Sequence, residues 1–336
     1  MTHIRKLISP AILSVFGGVL LALSFPEPAL WILAWIALIP LMFACRKRKP
    51  KQVFGYTFIF SLVYFTLSLA WIRRTMIDYG GLPVWLSLLF LVLLACYCAI
   101  YPAAAFYASY RIKNQFPGLF SLILPASWVT AEYIRSHLLT GFPWNCMGQS
   151  QYTVLALVQN ADWGSFYGLS FLMVGFNVTG FQLLDKPLRT RALAEFGFNC
   201  LLICFALSYG YFRLSEPISG DDVTFGVVQG NLDQHMKWNA NSEISNLEKH
   251  LELSRSILAE KPAFIVWSES ALTFYYRFGM RYQTPDDSSL GEKIKKFVKD
   301  FNVPIITGTL DRLDHQVYNS ACLIPPYGME SYYYKT

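Results

Sequence analysis

The sequence has few charged side chains. Asp, Glu, Lys and Arg make up 15% of its 336 residues, against roughly 25% in a soluble globular protein. Hydrophobic residues make up 54%, so the composition excludes a disordered regulator, a basic nucleic-acid-binding arm and an ordinary cytosolic enzyme. The shortage of charge indicates a membrane protein that does not bind nucleic acid.

The sequence patterns of several kinds of active site are also absent. The five histidines form no His-Glu-x-x-His motif and the seven cysteines show no metal-ligand spacing, so we expect no metal site. There is no glycine-rich phosphate loop and no Gly-x-Ser-x-Gly elbow, and we expect no cofactor. Most of the cysteines lie in or beside apolar runs, which argues against a disulfide framework.

The charges that are present divide the chain into two regions. Residues 1–213 contain 16 basic and 6 acidic side chains, whereas residues 214–336 contain 12 basic and 16 acidic ones. The long apolar runs lie in the first region. We therefore predict a transmembrane helical domain at 1–213, followed by a water-exposed domain at 214–336.

The apolar runs predict about seven membrane spans, because a helix needs about 20 mainly apolar residues to cross a bilayer. The candidates are 8–25, 28–45, 53–72, 83–110, 119–136, 164–184 and 192–213. Twelve Lys and Arg residues of the short loops fall on one side and three on the other, which places the N-terminus in the cytoplasm and 214–336 outside it. Alternatively, the first run is a signal peptide. The ionisable residues lie near the ends of the spans, which disfavours a transporter or channel.

The second region alternates strand and helix patterns. Runs rich in β-branched and aromatic residues predict strands at 223–228, 264–267, 303–308, 320–324 and 332–334. Apolar residues at helical spacing predict helices at 242–258 and 290–301. This alternation is typical of an α/β layer.

Glu269 follows one of the predicted strands and is the first candidate for chemistry. It comes two residues after Phe264–Trp267, and α/β sheets keep reactive groups at the carboxyl ends of their strands. At a partly dry position there, the pKa of the carboxyl would rise, which suits a general base. Alternatively, Glu269 is a helix-capping or loop carboxylate.

Four further residues are candidates for weaker reasons. Lys335 follows a tyrosine-rich strand and could stabilise an oxyanion, or it is simply solvated. Trp238 packs locally or lines a pocket for an apolar ligand. Phe142 and Trp144 lie in a Gly-Phe-Pro-Trp segment that also suits an interfacial aromatic belt.

The sequence as a whole resembles the apolipoprotein N-acyltransferase family of bacterial inner membranes. The resemblance rests on Trp128–Arg135, Thr140–Trp144, Gly164–Phe171 and Asn177 in the first region, and on Gln229–Asn231, Lys237–Trp238, Trp267–Ser270, Asn319–Ala321 and Tyr334–Lys335 in the second. It implies a multi-pass inner-membrane helical part that carries a periplasmic nitrilase-like domain, an αββα sandwich. We expect a monomer.

The resemblance also implies a reaction. In this family a cysteine thiolate takes an acyl chain from a phospholipid as a thioester, and the N-terminal amine of a diacylglyceryl-cysteine lipoprotein then receives it. Glu269 looks like the general base and Lys335 like the residue that stabilises the tetrahedral intermediate. Trp238, Trp144 and Phe142 look like substrate-binding residues.

The nucleophile that the resemblance calls for is absent from this chain. In the family it follows the lysine, whereas this sequence ends one residue after Lys335. Cys322 precedes the lysine in an apolar run and is interpreted as a buried strand residue. We expect an incomplete, protease-sensitive outer domain and no acyl thioester on Cys322. The alternatives are a membrane-tethered nitrilase-type amidase and a non-catalytic remnant of the acyltransferase.

Overall fold

The computed structural model describes residues 9–113, 115–185, 190–233, 237, 242–276, 288–313 and 316–335. The chain divides into two compact units, residues 1–217 and 218–336. The first unit is helical, and the second contains one β-sheet with two long helices. Trp238, one of the predicted substrate-binding residues, lies outside the described residues.

Helices make up the first unit. Among the described residues they are α1 (Pro10–Leu23), α2 (Leu38–Cys45), α3 (Pro50–Ser68), α4 (Ala70–Asp78), α5 (Val84–Lys113), α6 (Phe120–His137), α7 (Leu155–Val158), α8 (Ala161–Asp185) and α9 (Thr190–Ser215). Short 3-10 helices lie at Trp31–Trp35, Pro117–Leu119, Leu138–Thr140 and Met147–Gln151. All seven predicted apolar segments are thus largely helical within the part of the chain that the structure describes.

Fewer helices than seven meet the length and composition of a membrane span. Within the described ranges α5, α8 and α9 do so, and α3 with α4 would add a fourth if this pair, bent by 45°, were one span. The helix α1 and the stretch 31–45 are apolar but shorter. The helical character of the region is confirmed, whereas the number of about seven spans stays a prediction.

The second apolar segment is interrupted between Trp35 and Leu38, and a buried amide stabilises the interruption. Asn177 of α8 accepts a hydrogen bond from the backbone N of Leu38 (3.0 Å) and donates one to the carbonyl of Ala34 (3.0 Å). In apolar surroundings an unpaired backbone group is costly. Asn177 therefore allows the helix to break without leaving these groups unsatisfied.

The second unit is built on a five-stranded sheet. In chain order its elements are β1 (Phe225–Val228), α10 (Glu243–Ser256), β2 (Phe264–Trp267), α11 (Ser288–Phe301), β3 (Ile305–Leu313), β4 (Gln316–Ile324) and β5 (Ser331–Tyr334). The strands lie in the order β1-β2-β3-β4-β5, with β1, β2 and β3 parallel and the last two pairs antiparallel. All five predicted strands and both predicted helices are confirmed.

Helices pack against one face of this sheet, whereas side chains on the other face are exposed. One face buries Ile265, Ile305 and Cys322 in a core with residues of α10 and α11. The other face exposes Val227 and Tyr333, each by about three quarters of its surface (76% and 73%). The described residues thus form two layers, and the second sheet of the αββα sandwich that the resemblance implies is not among them.

Candidate active site

Glu269 lies where the parallel strands of the second unit end. β2 ends at Trp267, and the chain then turns sharply at Ser270, whose φ is 52°. Gly308 of β3 lies directly against this turn. A Cβ atom added at position 308 would lie 2.3 Å from the backbone N of Ser270 and 2.8 Å from Cα of Glu269. A glycine at 308 is therefore what lets the turn that carries the carboxylate rest on β3.

Two side chains donate hydrogen bonds to the Glu269 carboxylate. Nζ of Lys335 lies 3.1 Å from Oε1, and Nδ2 of Asn319 lies 2.6 Å from the same oxygen. Lys335 follows β5, and its backbone N donates to the carbonyl of Asn319 in β4 (3.0 Å). The structure thus brings together the two predicted catalytic residues, which are distant in sequence.

Asn319 was not singled out as a site residue by sequence reasoning. Two signals could have found it: Asn319 lies in one of the segments that carry the family resemblance, and it is a polar side chain in a β-rich run that precedes the Tyr-Lys strand. Its contact with Glu269 depends on two strand pairings, β2 with β3 and β3 with β4, which the sequence pattern alone does not specify.

The electrostatic surroundings of Glu269 differ from those expected. Its side chain is 65% exposed and that of Lys335 is 69% exposed. The hydrogen bond and the positive charge of Lys335 lower the pKa of Glu269, and Asn319 and Lys237 lower it further. The expectation of a partly dry carboxyl with a raised pKa is therefore wrong, because donors and cations surround an exposed group. The carboxylate is ionised at neutral pH and can accept a proton.

Open cavities flank Glu269 on two sides. The first, of about 490 Å³, lies at the ends of β1 and β2 and includes Lys237 and His250 in its lining. Nζ of Lys237 donates to the backbone carbonyl of Glu269 (3.4 Å), and burial lowers the pKa of this lysine. The second cavity, of about 350 Å³, is lined by Glu269, Asn319 and Lys335 together with residues of β3. Small groups could therefore approach the carboxylate from either side.

Cys322 does not share the face of the sheet that carries this cluster. Its side chain is fully buried on the face that α10 and α11 cover. Side chains alternate along a strand, so Asn319, three residues earlier in β4, points to the opposite face. The interpretation of Cys322 as a buried strand residue is confirmed. Within the described ranges, no cluster of His, Cys, Asp and Glu could hold a metal ion.

In the first unit, a buried arginine holds the segment that contains Phe142 and Trp144. Nη1 of Arg135 donates to the carbonyls of Phe142 and Trp144, at 2.7 Å each, and Nη2 lies 3.2 Å from Sγ of Cys146. The guanidinium also lies over the ring of Phe65, 5.2 Å from its centroid. Arg135 is only 1% exposed, so these contacts take the place of the water molecules that would solvate its guanidinium at the surface.

Glu132 holds the far end of the same segment. Its Oε1 accepts hydrogen bonds from Nε1 of Trp128 (2.9 Å) and from the backbone N of Met147 (2.7 Å). Spacing of three residues on a helix suggests that Glu132 would pair with Arg135. In the structure each of these two side chains hydrogen-bonds the 142–147 segment instead of the other.

Phe142 and Trp144 line an open apolar groove beside α4. The ring of Trp144 stacks on that of Trp71, with 4.8 Å between centroids, and the groove has a volume of about 580 Å³. Met76 and Leu82 complete its apolar wall, and α4 has no buried residue. The groove offers an extended apolar surface at which an alkyl chain could lie.

Both units match families of known proteins. Residues 17–179 match the family model of the apolipoprotein N-acyltransferase N-terminal domain. Residues 225–336 match the carbon-nitrogen hydrolase family, so the match includes every strand of the sheet and all three residues of the Glu269 cluster.

Curated relatives with the name apolipoprotein N-acyltransferase align over most of the chain. The protein from Geobacter metallireducens is 34% identical over 330 residues, which are 94% of this chain and 61% of the relative. The protein from Shewanella oneidensis is 29% identical over 326 residues, 93% of this chain and 58% of the relative. The chain therefore spans about three fifths of the length of the relatives that it matches.

Proposed function

The chain belongs to the apolipoprotein N-acyltransferase family, and we propose that it supplies the base, the cation and the lipid-handling surfaces for the transfer of a fatty acyl chain from a phospholipid to the N-terminal amine of a diacylglyceryl-cysteine lipoprotein. The observation that carries this proposal is the contact between Glu269 and Lys335, 3.1 Å apart. Acyl transfer through a tetrahedral intermediate needs a group that accepts a proton and a positive charge that stabilises the oxyanion, and a carboxylate next to a lysine offers both.

In the proposed reaction Glu269 moves protons and Lys335 stabilises charge. The carboxylate takes the proton of a thiol, and the thiolate attacks the ester carbonyl of the phospholipid. As the C–O bond breaks, the leaving alcohol takes that proton, and an acyl thioester remains. The carboxylate then takes a proton from the acceptor amine, whose nitrogen forms the amide as the C–S bond breaks, and the leaving thiolate takes that proton back, which regenerates the thiol and the carboxylate. At both steps the ammonium group of Lys335 lies near the oxyanion.

The thiol of this reaction is not assigned to a cysteine of this chain. Cys322 lies on the opposite face of the sheet from Asn319. The resemblance puts the nucleophile after the lysine in sequence. We therefore assign to this chain the base, the cation and the lipid-handling surfaces.

The membrane unit would present the lipid substrates. We propose that the groove beside Phe142 and Trp144 holds an acyl chain, because its apolar lining and stacked rings suit an alkyl group. The protein would act as a monomer in the bacterial inner membrane, with its N-terminus in the cytoplasm and residues 214–336 in the periplasm. Trp238 would line the substrate pocket.

Acyl transfer is measured by mass spectrometry on the chain in phospholipid vesicles with ¹³C-labelled acyl chains and a diacylglyceryl-cysteine peptide as acceptor. Two proteins are compared: residues 1–336, and the same residues joined to the part of the Geobacter metallireducens relative that extends beyond the matched region. We expect labelled triacylated peptide from the joined protein only. Glu269→Gln should abolish it and Lys335→Met should leave only a residual rate, whereas the exposed-residue controls Glu260→Gln and Lys299→Met should change it little.

Three results would contradict the proposal. Transfer that survives Glu269→Gln would remove the carboxylate from the mechanism. Labelled acyl chain on Cys322 would reverse its assignment as a structural residue. Hydrolysis of soluble amides, without transfer from lipid, would favour the membrane-tethered amidase.

A further inference from the structure

We propose that Asn319 is a positioning residue that holds one oxygen of the Glu269 carboxylate, so that the other oxygen exchanges the proton. The role of Glu269 as a base rests on the proposed function. The contact of Asn319 with Glu269 does not, and it can be tested without any acyl transfer.

The hydrogen bonds of the carboxylate are distributed unequally. Asn319 and Lys335 both donate to Oε1, at 2.6 and 3.1 Å. Among the described residues, none donates a hydrogen bond to Oε2. An oxygen that accepts two donors has little basicity left, so Oε2 is the oxygen able to accept a further proton.

Asn319 is better placed than Lys335 to fix the orientation of the carboxylate. It lies inside β4, where it pairs with Leu310 of β3, and the next side chain, Ser320, is buried and donates to the carbonyl of Thr309 (3.0 Å). Its amide is planar and short, whereas a lysine is a flexible stem that carries a point charge. Lys335 is also 69% exposed. Asn319 thus fixes the orientation of the carboxylate, and Lys335 provides a positive charge beside it.

Asn319 also ties Lys335 to the carboxylate. Its side chain bonds Glu269, and its backbone carbonyl accepts the backbone N of Lys335 (3.0 Å). One residue therefore contacts both members of the pair. Loss of its amide would leave the charge attraction in place but would free the carboxylate to rotate.

The test follows the protonation of Glu269 through its partner lysine. Lysines of the full chain in detergent are reductively methylated with ¹³C, and the Lys335 signal is identified by its loss in Lys335→Arg. We expect a pH step in this signal that disappears in Glu269→Gln. Asn319→Leu should move the step to higher pH, because the ionised carboxylate loses a donor. The near-isosteric Asn319→Asp should move it further, because a second carboxylate opposes ionisation.

Gln316→Leu, an amide-to-leucine change in the same strand, is the matched control and should leave the midpoint unchanged. The proposal is overturned if Asn319→Leu and Asn319→Asp both titrate like the original chain, or if the step persists in Glu269→Gln. In the joined protein, Asn319→Leu should lower the rate at saturating substrate by about tenfold to a hundredfold with KM unchanged. A shifted midpoint with an unchanged rate would overturn the positioning role. Absence of acyl transfer from every variant would refute the proposed function and leave the titration result intact.

Discussion

Replacing Arg135 with methionine should release the segment that carries Phe142 and Trp144. The guanidinium donates two hydrogen bonds of 2.7 Å to the carbonyls of these residues and is 1% exposed. Methionine fills a similar volume but donates nothing. The two carbonyls would then lose their charged donor while the helix that carried it stays in place.

The size of the effect follows from the number and burial of these bonds. A buried acceptor that loses its donor costs about 1–3 kcal/mol. Trp144 is half exposed, so water can replace part of its bond and the lower end of that range applies. We expect the segment to become about 2–4 kcal/mol easier to open, which corresponds to about a 30- to 800-fold rise in its open fraction.

Cys146 reports this opening directly. Its thiol is fully buried and contacts Arg135, so a maleimide reaches it only when the segment opens. Labelling of Cys146 in detergent, followed by peptide mass spectrometry, should accelerate by the same factor in Arg135→Met. Cys322, fully buried in the other unit, is an internal reference and should keep its rate.

Arg191→Met is the matched control, because this arginine is 62% exposed and pairs with Glu195 at the surface. Exposed ion pairs contribute about 0–1 kcal/mol, so Cys146 labelling should change by less than about fivefold. If Arg135→Met labels Cys146 no faster than the control does, the guanidinium does not hold the segment.

Three further changes test other parts of the structure. Gly308→Ala should lower stability by about 1–3 kcal/mol in thermal unfolding, because the new Cβ would press on Ser270 and displace Glu269; an unchanged melting temperature would show that β3 does not approach that turn. Lys335→Met should raise the pKa of Glu269, because the carboxylate loses its neighbouring cation. As the medium is acidified, the residual acyl transfer by the joined protein should therefore fall at a higher pH than in the original protein. If the rate falls at the same pH in both, Lys335 does not contact the carboxylate. Asn177→Leu should lower stability by about 2–6 kcal/mol, because two backbone groups at the interrupted second segment lose their partner; a loss below 1 kcal/mol would argue against that role.

Local patterns predicted the elements of the fold well. The abundance of β-branched and aromatic residues in 223–228 and 264–267 and the helical spacing in 242–258 are properties of neighbouring residues, and all three segments adopt the predicted structure. The interruption after Trp35 was not predicted, because its cause is Asn177, more than 130 residues further along the chain. A local pattern carries no information about such a partner.

The two charged residues of the site could be named from the sequence, whereas Asn319 and the electrostatics of the site could not. Glu269 and Lys335 stand out by their positions after strands, and they lie in contact. The direction of the pKa shift depends on which donors reach the carboxylate, and Asn319 reaches it only through the register of β3 and β4. Arg135 likewise looked like half of a helical pair, because its true acceptors lie in a loop without a regular pattern.

The separation of Glu269 from Lys335 along the chain has a consequence for biosynthesis. The two residues are 66 positions apart, so the ribosome makes Glu269 well before Lys335. At about 5–20 residues per second, the interval is about 3–13 s. During that time β5 does not yet exist, and the carboxylate on the nascent chain has no ammonium partner. The contact between Glu269 and Lys335 is therefore assembled by the arrival of β5, after the helices that precede it have already been made.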